Sequence, residues 1–123
     1  MIKLHKTQLE YDTEEFTNSS AAIGAGIPVA LSSGKLVAST SPEYLTLEPC
    51  AASEERCLVH KIKNDELYST ILSADGFALN IGDAVTITSS GYATATTASG
   101  IFKIEEFKDT TKASGSIVVG RFI

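Results

Sequence analysis

Leu79-Asn80-Ile81-Gly82-Asp83-Ala84-Val85-Thr86-Ile87-Thr88-Ser89-Ser90-Gly91-Tyr92-Ala93-Thr94-Ala95-Thr96-Thr97-Ala98-Ser99-Gly100 is the stretch on which the fold turns. Val85 and Ile87 alternate with Thr86 and Thr88, which sets apolar side chains on one face of an extended segment and hydroxyls on the other. Ser89-Ser90-Gly91 ends in a residue without a Cβ, suited to the positive φ that a reversing chain needs. Tyr92 to Thr97 continues in small and β-branched residues, so the sequence predicts a second strand and a β-hairpin.

A similar phrase stands earlier, from Ile23 to Thr40: Ile-Gly, an apolar alternation, Ser-Ser-Gly at 32–34, then a strand of small residues ending in Ser-Thr. Two copies of one hairpin point to two similar units closing on a shared β core. Independent use of Ser-Gly turn chemistry accounts for the same pattern, and the two readings stay open. Outward from these hairpins, Tyr44–Leu47 reads as a short strand stopped near Pro49. Cys50 to Glu55 reads as one helical turn or a loop. Leu58–Ile62 and Leu67–Leu72 flank the polar turn Lys63-Asn64-Asp65-Glu66. Ile101–Lys108 and Ser116–Ile123 are further strands, the last apolar enough to lie inside a sheet. Pro28 cannot donate to a ladder, so its strand begins there or lies at an edge. Eight to ten short strands with regular turn signals predict an all-β fold, a small barrel or sandwich of antiparallel strands. Residues 1–20 hold no single period and read as a strand packed on the body or as an N-terminal arm, ahead of a β domain over 21–123.

With 123 residues the chain fits one domain that can bury a core without staples. The formal net charge is −5, and the ten Lys and Arg form no stripe, so nucleic acid is not an expected partner. No apolar run is long enough to cross a bilayer, and no secretory leader opens the chain, so a protein made in the cytoplasm is expected. Its two cysteines, Cys50 and Cys57, then read as small packed or surface thiols.

Catalytic constellations are sparse. Cys50, Cys57 and His60 could be drawn together as zinc ligands, but their spacing fits no zinc pattern and no fourth ligand is evident, so no metal or other cofactor is expected. His60, between Val59 and Lys61, reads as a solvated or partly packed side chain. No Gly-x-Ser-x-Gly elbow is present. The neighbours Glu54-Glu55 and Glu105-Glu106 point to opposite faces of an extended chain, and the acidic groups read as a solvated surface. Ile23-Gly24-Ala25-Gly26 lacks the third glycine and the helix of a dinucleotide loop. Most of the aromatic residues read as core or cross-strand packing. A binding or structural role is the default expectation, with no enzymatic activity.

Three phrases carry a family resemblance: Ile-Gly-Asp-Ala-Val-Thr-Ile at 81–87, Gly-Tyr-Ala-Thr-Ala-Thr-Thr at 91–97 and Ser-Gly-Ser-Ile-Val-Val-Gly-Arg-Phe at 114–122. In texture and order, residues 23–123 resemble tailed-phage capsid decoration proteins, also called head cement proteins. The charged, cysteine-bearing section from Tyr44 to Leu72 departs from that texture. The resemblance implies a structural protein on the exterior of a virion capsid, made in the host cytoplasm. It implies a homotrimer that binds the major capsid protein and bridges its subunits, with no nucleic acid, membrane or small-molecule substrate as partner. It also implies an arm at 1–20 that orders on the capsid, with contacts at Ile2, Leu4, Leu9, Tyr11 and Phe16. The alternative is a carbohydrate-binding or adhesive β module using Tyr44, Tyr68 and Tyr92. A small hydrolase would need His60 beside a Ser or Cys nucleophile.

Overall fold

The computed structural model describes residues 2–6 and 13–123. Ten strands and no helix occur among the described residues. In chain order they are β1 (Lys3–Lys6), β2 (Thr13–Asn18), β3 (Pro28–Ser32), β4 (Lys35–Ala38) and β5 (Tyr44–Thr46). They continue as β6 (Cys57–Lys61), β7 (Leu67–Ile71), β8 (Ala84–Val85), β9 (Phe102–Phe107) and β10 (Ile117–Phe122). Strands β2-β4-β3-β5-β6 close into a barrel, and β1-β7-β10-β9-β8 form a five-stranded antiparallel sheet. The fold is all-β, as the alternation and turns predict. The chain starts in the sheet, leaves to build the barrel, and returns to the sheet at β7.

The first hairpin forms as predicted. Strand β3 begins at Pro28, and Ser32 pairs with Lys35 across a two-residue turn. Ser33 and Gly34 both have positive φ, at 51° and 76°, which matches the turn twist to that of the flanking strands. The second phrase folds differently. Gly91 takes φ 88° and the chain does reverse, with Thr88 N–H donating to the Tyr92 carbonyl at 2.8 Å. Thr86 and Thr94 hydroxyls meet at 2.7 Å on one face, while Val85 and Ile87 are buried on the other. Tyr92–Thr97, however, is not a named strand; Ala93 makes only isolated bridges to Ile87 and Leu72. Ladder partners explain the correction. Thr94 N–H donates to the Thr86 carbonyl and Thr86 N–H to the Thr96 carbonyl, both at 3.0 Å, while Ala93 N–H donates to Ile71 and its carbonyl accepts from Ser73, so the second arm lies beside 84–88 but shares its hydrogen bonds with the end of β7. The two similar phrases thus lie in different bodies, with different turns.

Strand β10 is central in its sheet, as its apolar run predicts. Phe122 packs edge-on against both Phe102 and Tyr68, with ring centroids 5.3 Å apart in each case. These rings join Leu72, Val85 and Ile104 in the sheet's core. Gly120 has to be glycine, since a Cβ there would strike the Lys103 carbonyl and the Phe102 ring. The barrel core is separate and gathers Val29, Leu36, Tyr44, Cys57 and Val59. All three residues of β5 are buried because both its faces are covered: Tyr44 enters the barrel core and Leu45 the sheet core. Strands β5 and β6 therefore act as the wall between the two.

The N-terminal residues are part of this body. Ile2 is 2% exposed in the sheet core, and its N–H donates to the Gly26 carbonyl at 2.8 Å. Strand β1 pairs with β7, and β2 pairs with β6 and, in parallel, with β4. Within 1–20, the described residues are thus strands of both sheets. The Lys63–Glu66 turn occurs, but the strands on either side of it do not pair with each other. They belong to barrel and sheet respectively, so this turn is the return crossing. No helix among the described residues is long and apolar enough to cross a membrane.

Candidate functional site

Three places concentrate chemistry or exposed apolar surface. The first lies at the return crossing. His60 is 1% exposed and Glu66 6%, so the histidine is packed more fully than the solvated or partly packed side chain expected, and Glu66 departs from the expected solvated set of acids. The physical reason is the wall position of β6: residues alternating with Cys57 and Val59 face the sheet rather than water. His60 Nε2 lies 2.9 Å from Glu66 Oε1. The Tyr68 hydroxyl donates to the same oxygen at 3.2 Å and accepts from the Lys63 backbone N–H at 3.1 Å. Burial, reinforced by the Glu66 carboxylate, pushes the Tyr68 phenol well above its ordinary range, so it stays a donor. These partners satisfy polar groups that the crossing chain must bury.

The second place is the loop between β5 and β6. Cys50, Glu54 and Cys57 bring their ligand atoms within 4.8 Å of one another. Both thiols are free and buried. The Cys57 thiol donates to Glu54 Oε2 at 3.2 Å and the Cys50 thiol to the Glu48 carbonyl at 3.6 Å. Burial raises both thiols above their ordinary range, so they keep their protons at neutral pH. His60 is not in this cluster. The loop is irregular rather than helical, and Asn18 holds it. Asn18 is 1% exposed, and its amide donates to the carbonyls of Ala21 and Ala51, both at 2.9 Å. Its own backbone N–H donates to the Glu54 carbonyl at 2.8 Å.

The third place is the connection from β7 to β8, where Phe77 and Ile81 are each 65% exposed. Large apolar side chains so exposed are costly to leave in water. The loop that carries them is pinned. Leu79 is buried between them as an anchor, and Gly76 N–H donates to the Lys112 carbonyl at 2.8 Å. The Lys112 ammonium donates to the Leu79 carbonyl at 2.6 Å and sits 4.8 Å from the centre of the Phe107 ring. Asp83 Oδ2 accepts from Asn80 N–H at 2.8 Å, and Gly82 N–H donates to the Ile104 carbonyl at 2.8 Å. Beside Ile81 opens a shallow hollow of about 330 Å³, lined also by Asn80, Glu106, Phe107, Thr110 and Lys112.

Of the contacts placed on the N-terminal segment, Ile2 is buried and Phe16 is half-buried, its ring tilted against that of Tyr44 in the barrel core with centroids 5.1 Å apart. Leu4 pairs with Tyr68 in β1. Leu9 and Tyr11 lie outside the described residues. Tyr44 and Tyr68 are buried, and only Tyr92 of the three tyrosines is partly exposed, so these residues do not form a common aromatic patch. Phe77 and Ile81 were legible as apolar residues, but nothing in the sequence distinguished them from core. Leu79 is buried two residues from each in an irregular loop, where no periodicity sorts inside from outside. No protein-family model matches the chain, and comparison with curated proteins finds no match.

Proposed function

We propose that this protein is a structural docking module, a virion head decoration protein that binds the outer surface of an assembled phage capsid. The observation that carries the reading is the pinned loop presenting Phe77 and Ile81 to solvent. A loop already held by buried and charged anchors loses little freedom on binding, so its apolar contact is realised as affinity. Two such exposed side chains, one of them (Ile81) beside a shallow hollow, suit a partner that lies flat against them. The likeness of residues 23–123 to head cement proteins supplies the partner, the major capsid protein. Three copies around a three-fold axis would bridge neighbouring shell subunits, each adding a modest contact to a collective hold.

Expanded shells of the same virus, stripped of this protein, should bind it in co-sedimentation to a fixed stoichiometry. The double variant Phe77→Ser with Ile81→Ser should lose at least tenfold in affinity, as expected when two central apolar contacts of about 1–2 kcal/mol each are removed. Both positions are surface sites, so the variant should keep the native melting temperature. Deleting the N-terminus is a poor test, because β1 and β2 are built into both sheets. Failure of the unaltered chain to bind any such shell removes the proposal.

A further inference from the structure

We propose that Cys50, Cys57 and Glu54 form a binding site for a single thiophilic divalent cation of the zinc class. Their three ligand atoms already lie within 4.8 Å of one another. Tetrahedral zinc with sulfur at about 2.3 Å and carboxylate oxygen at about 2.1 Å sets neighbouring donors roughly 3.5–3.8 Å apart. Closing the present cluster onto an ion therefore needs side-chain shifts on the order of 1 Å, within the reach of rotamer adjustment.

The backbone beneath each donor is tied down. Cys50 exchanges both bridge hydrogen bonds with Ile23, at 2.7 and 2.9 Å. Cys57 opens β6 opposite Phe16 of β2. Glu54 is held through its carbonyl by Asn18 and through its N–H by the Ala51 carbonyl at 3.1 Å. Ser53, at φ 58°, makes the turn that brings the Glu54 carboxylate back over Cys57, and its N–H donates to the Ser19 carbonyl at 2.7 Å.

The donor set fits a borderline-soft ion, since two thiolates and a carboxylate neutralise and slightly overbalance a double positive charge. Glu54 is half-buried while both sulfurs are buried, so the fourth position of a tetrahedron would open toward water on the carboxylate side. Binding exchanges two thiol protons for one cation: both S–H bonds break, two metal–sulfur bonds form, and two protons leave to solvent. Spacing alone conceals the site. Two cysteines separated by six residues match no common zinc pattern, and the third ligand is a glutamate that only the Ser53 turn directs inward.

The test uses the full chain, reduced and freed of metal, titrated with Co²⁺ and followed by the thiolate-to-cobalt charge-transfer absorption. One equivalent should develop the band, Zn²⁺ should displace it, and an unbuffered sample should release about two protons per ion. Glu54→Gln, a half-buried substitution that leaves both sulfurs in place, should weaken Co²⁺ and Zn²⁺ at least tenfold while the variant stays folded by circular dichroism. Cys50→Ser and Cys57→Ser should each abolish the charge-transfer band. Absence of the band in the unaltered chain overturns the proposal, as does unchanged affinity in Glu54→Gln.

Discussion

Replacing Asn18 with Asp tests whether the barrel's long loop is held by hydrogen bonds or merely by shape. The two side chains are nearly isosteric, so no cavity opens and no packing term enters. What changes is charge and donor count. The amide that donates to Ala21 and Ala51 at 2.9 Å becomes an oxygen facing two carbonyls, at a site 1% exposed. Two neutral hydrogen bonds contribute about 1 kcal/mol each. A buried carboxylate left with the Ser19 N–H, at 2.8 Å, as its remaining close donor adds a further penalty, for a total of about 3–5 kcal/mol at pH 7. For a chain of this length that is a fall of about 12–20 °C in melting temperature. Urea denaturation at pH 7 measures the loss directly, with the slope unchanged if the native and unfolded states keep their extent. The sign of the pH effect separates charge from shape. Burial raises the introduced carboxyl in the folded state, so its penalty is full near neutrality and shrinks as pH falls toward the unfolded range near 4. A deficit below 1 kcal/mol at pH 7, or one that does not shrink on acidification, refutes the hydrogen-bonded account of this loop.

Two further outcomes follow from the buried polar groups. Tyr68→Phe removes the hydroxyl that joins Lys63 N–H to Glu66 and should cost about 1–3 kcal/mol in urea denaturation; a loss under 0.5 kcal/mol would mean that the bridge carries no stability. In the reduced, metal-free protein, burial raises Cys50 and Cys57 above 9.0 and Tyr68 above 10.0, so the folded state keeps protons that the unfolded state releases. Stability from these groups is complete below about pH 8 and falls as pH rises past 9, by at most about 1.4 kcal/mol per pH unit for each group. Denaturation midpoints that stay level or climb between pH 8 and 10.5 contradict that assignment.

The strands were written locally, and so were most of the turns. Val85-Thr86-Ile87-Thr88 alternates in burial as its side chains alternate in polarity, and Ser33-Gly34 makes the tight reversal its residues favour. The central position of β10 was legible from its apolar run, because a strand bonded on both edges buries most of its side chains, and its one charge, Arg121, is paired with Glu105 at 2.8 Å. Identical turn chemistry at 32–34 and 89–91 did not carry over into identical hairpins. How long a ladder an extended arm makes with one neighbour depends on which other edges lie beside it, and the arm at 92–96 divides its hydrogen bonds between Thr86–Thr88 and the end of β7.

The candidate sites were less legible for the same reason. His60 and Glu66 look like surface residues beside lysines and aspartates, and they are buried only because β6 serves as a wall with a sheet on its far side. Glu54 is one acid in a polar loop until the Ser53 turn and Asn18 aim it at Cys57. Alternation and turn residues act over a few bonds, and they by themselves determined that this chain is built of short β strands. Contacts between residues far apart in sequence decided the closed barrel, the pairing of β1 with β7 across the whole barrel segment of the chain, and which polar and apolar side chains meet water. Burial is a property of the assembled surfaces, and no side chain carries that information alone.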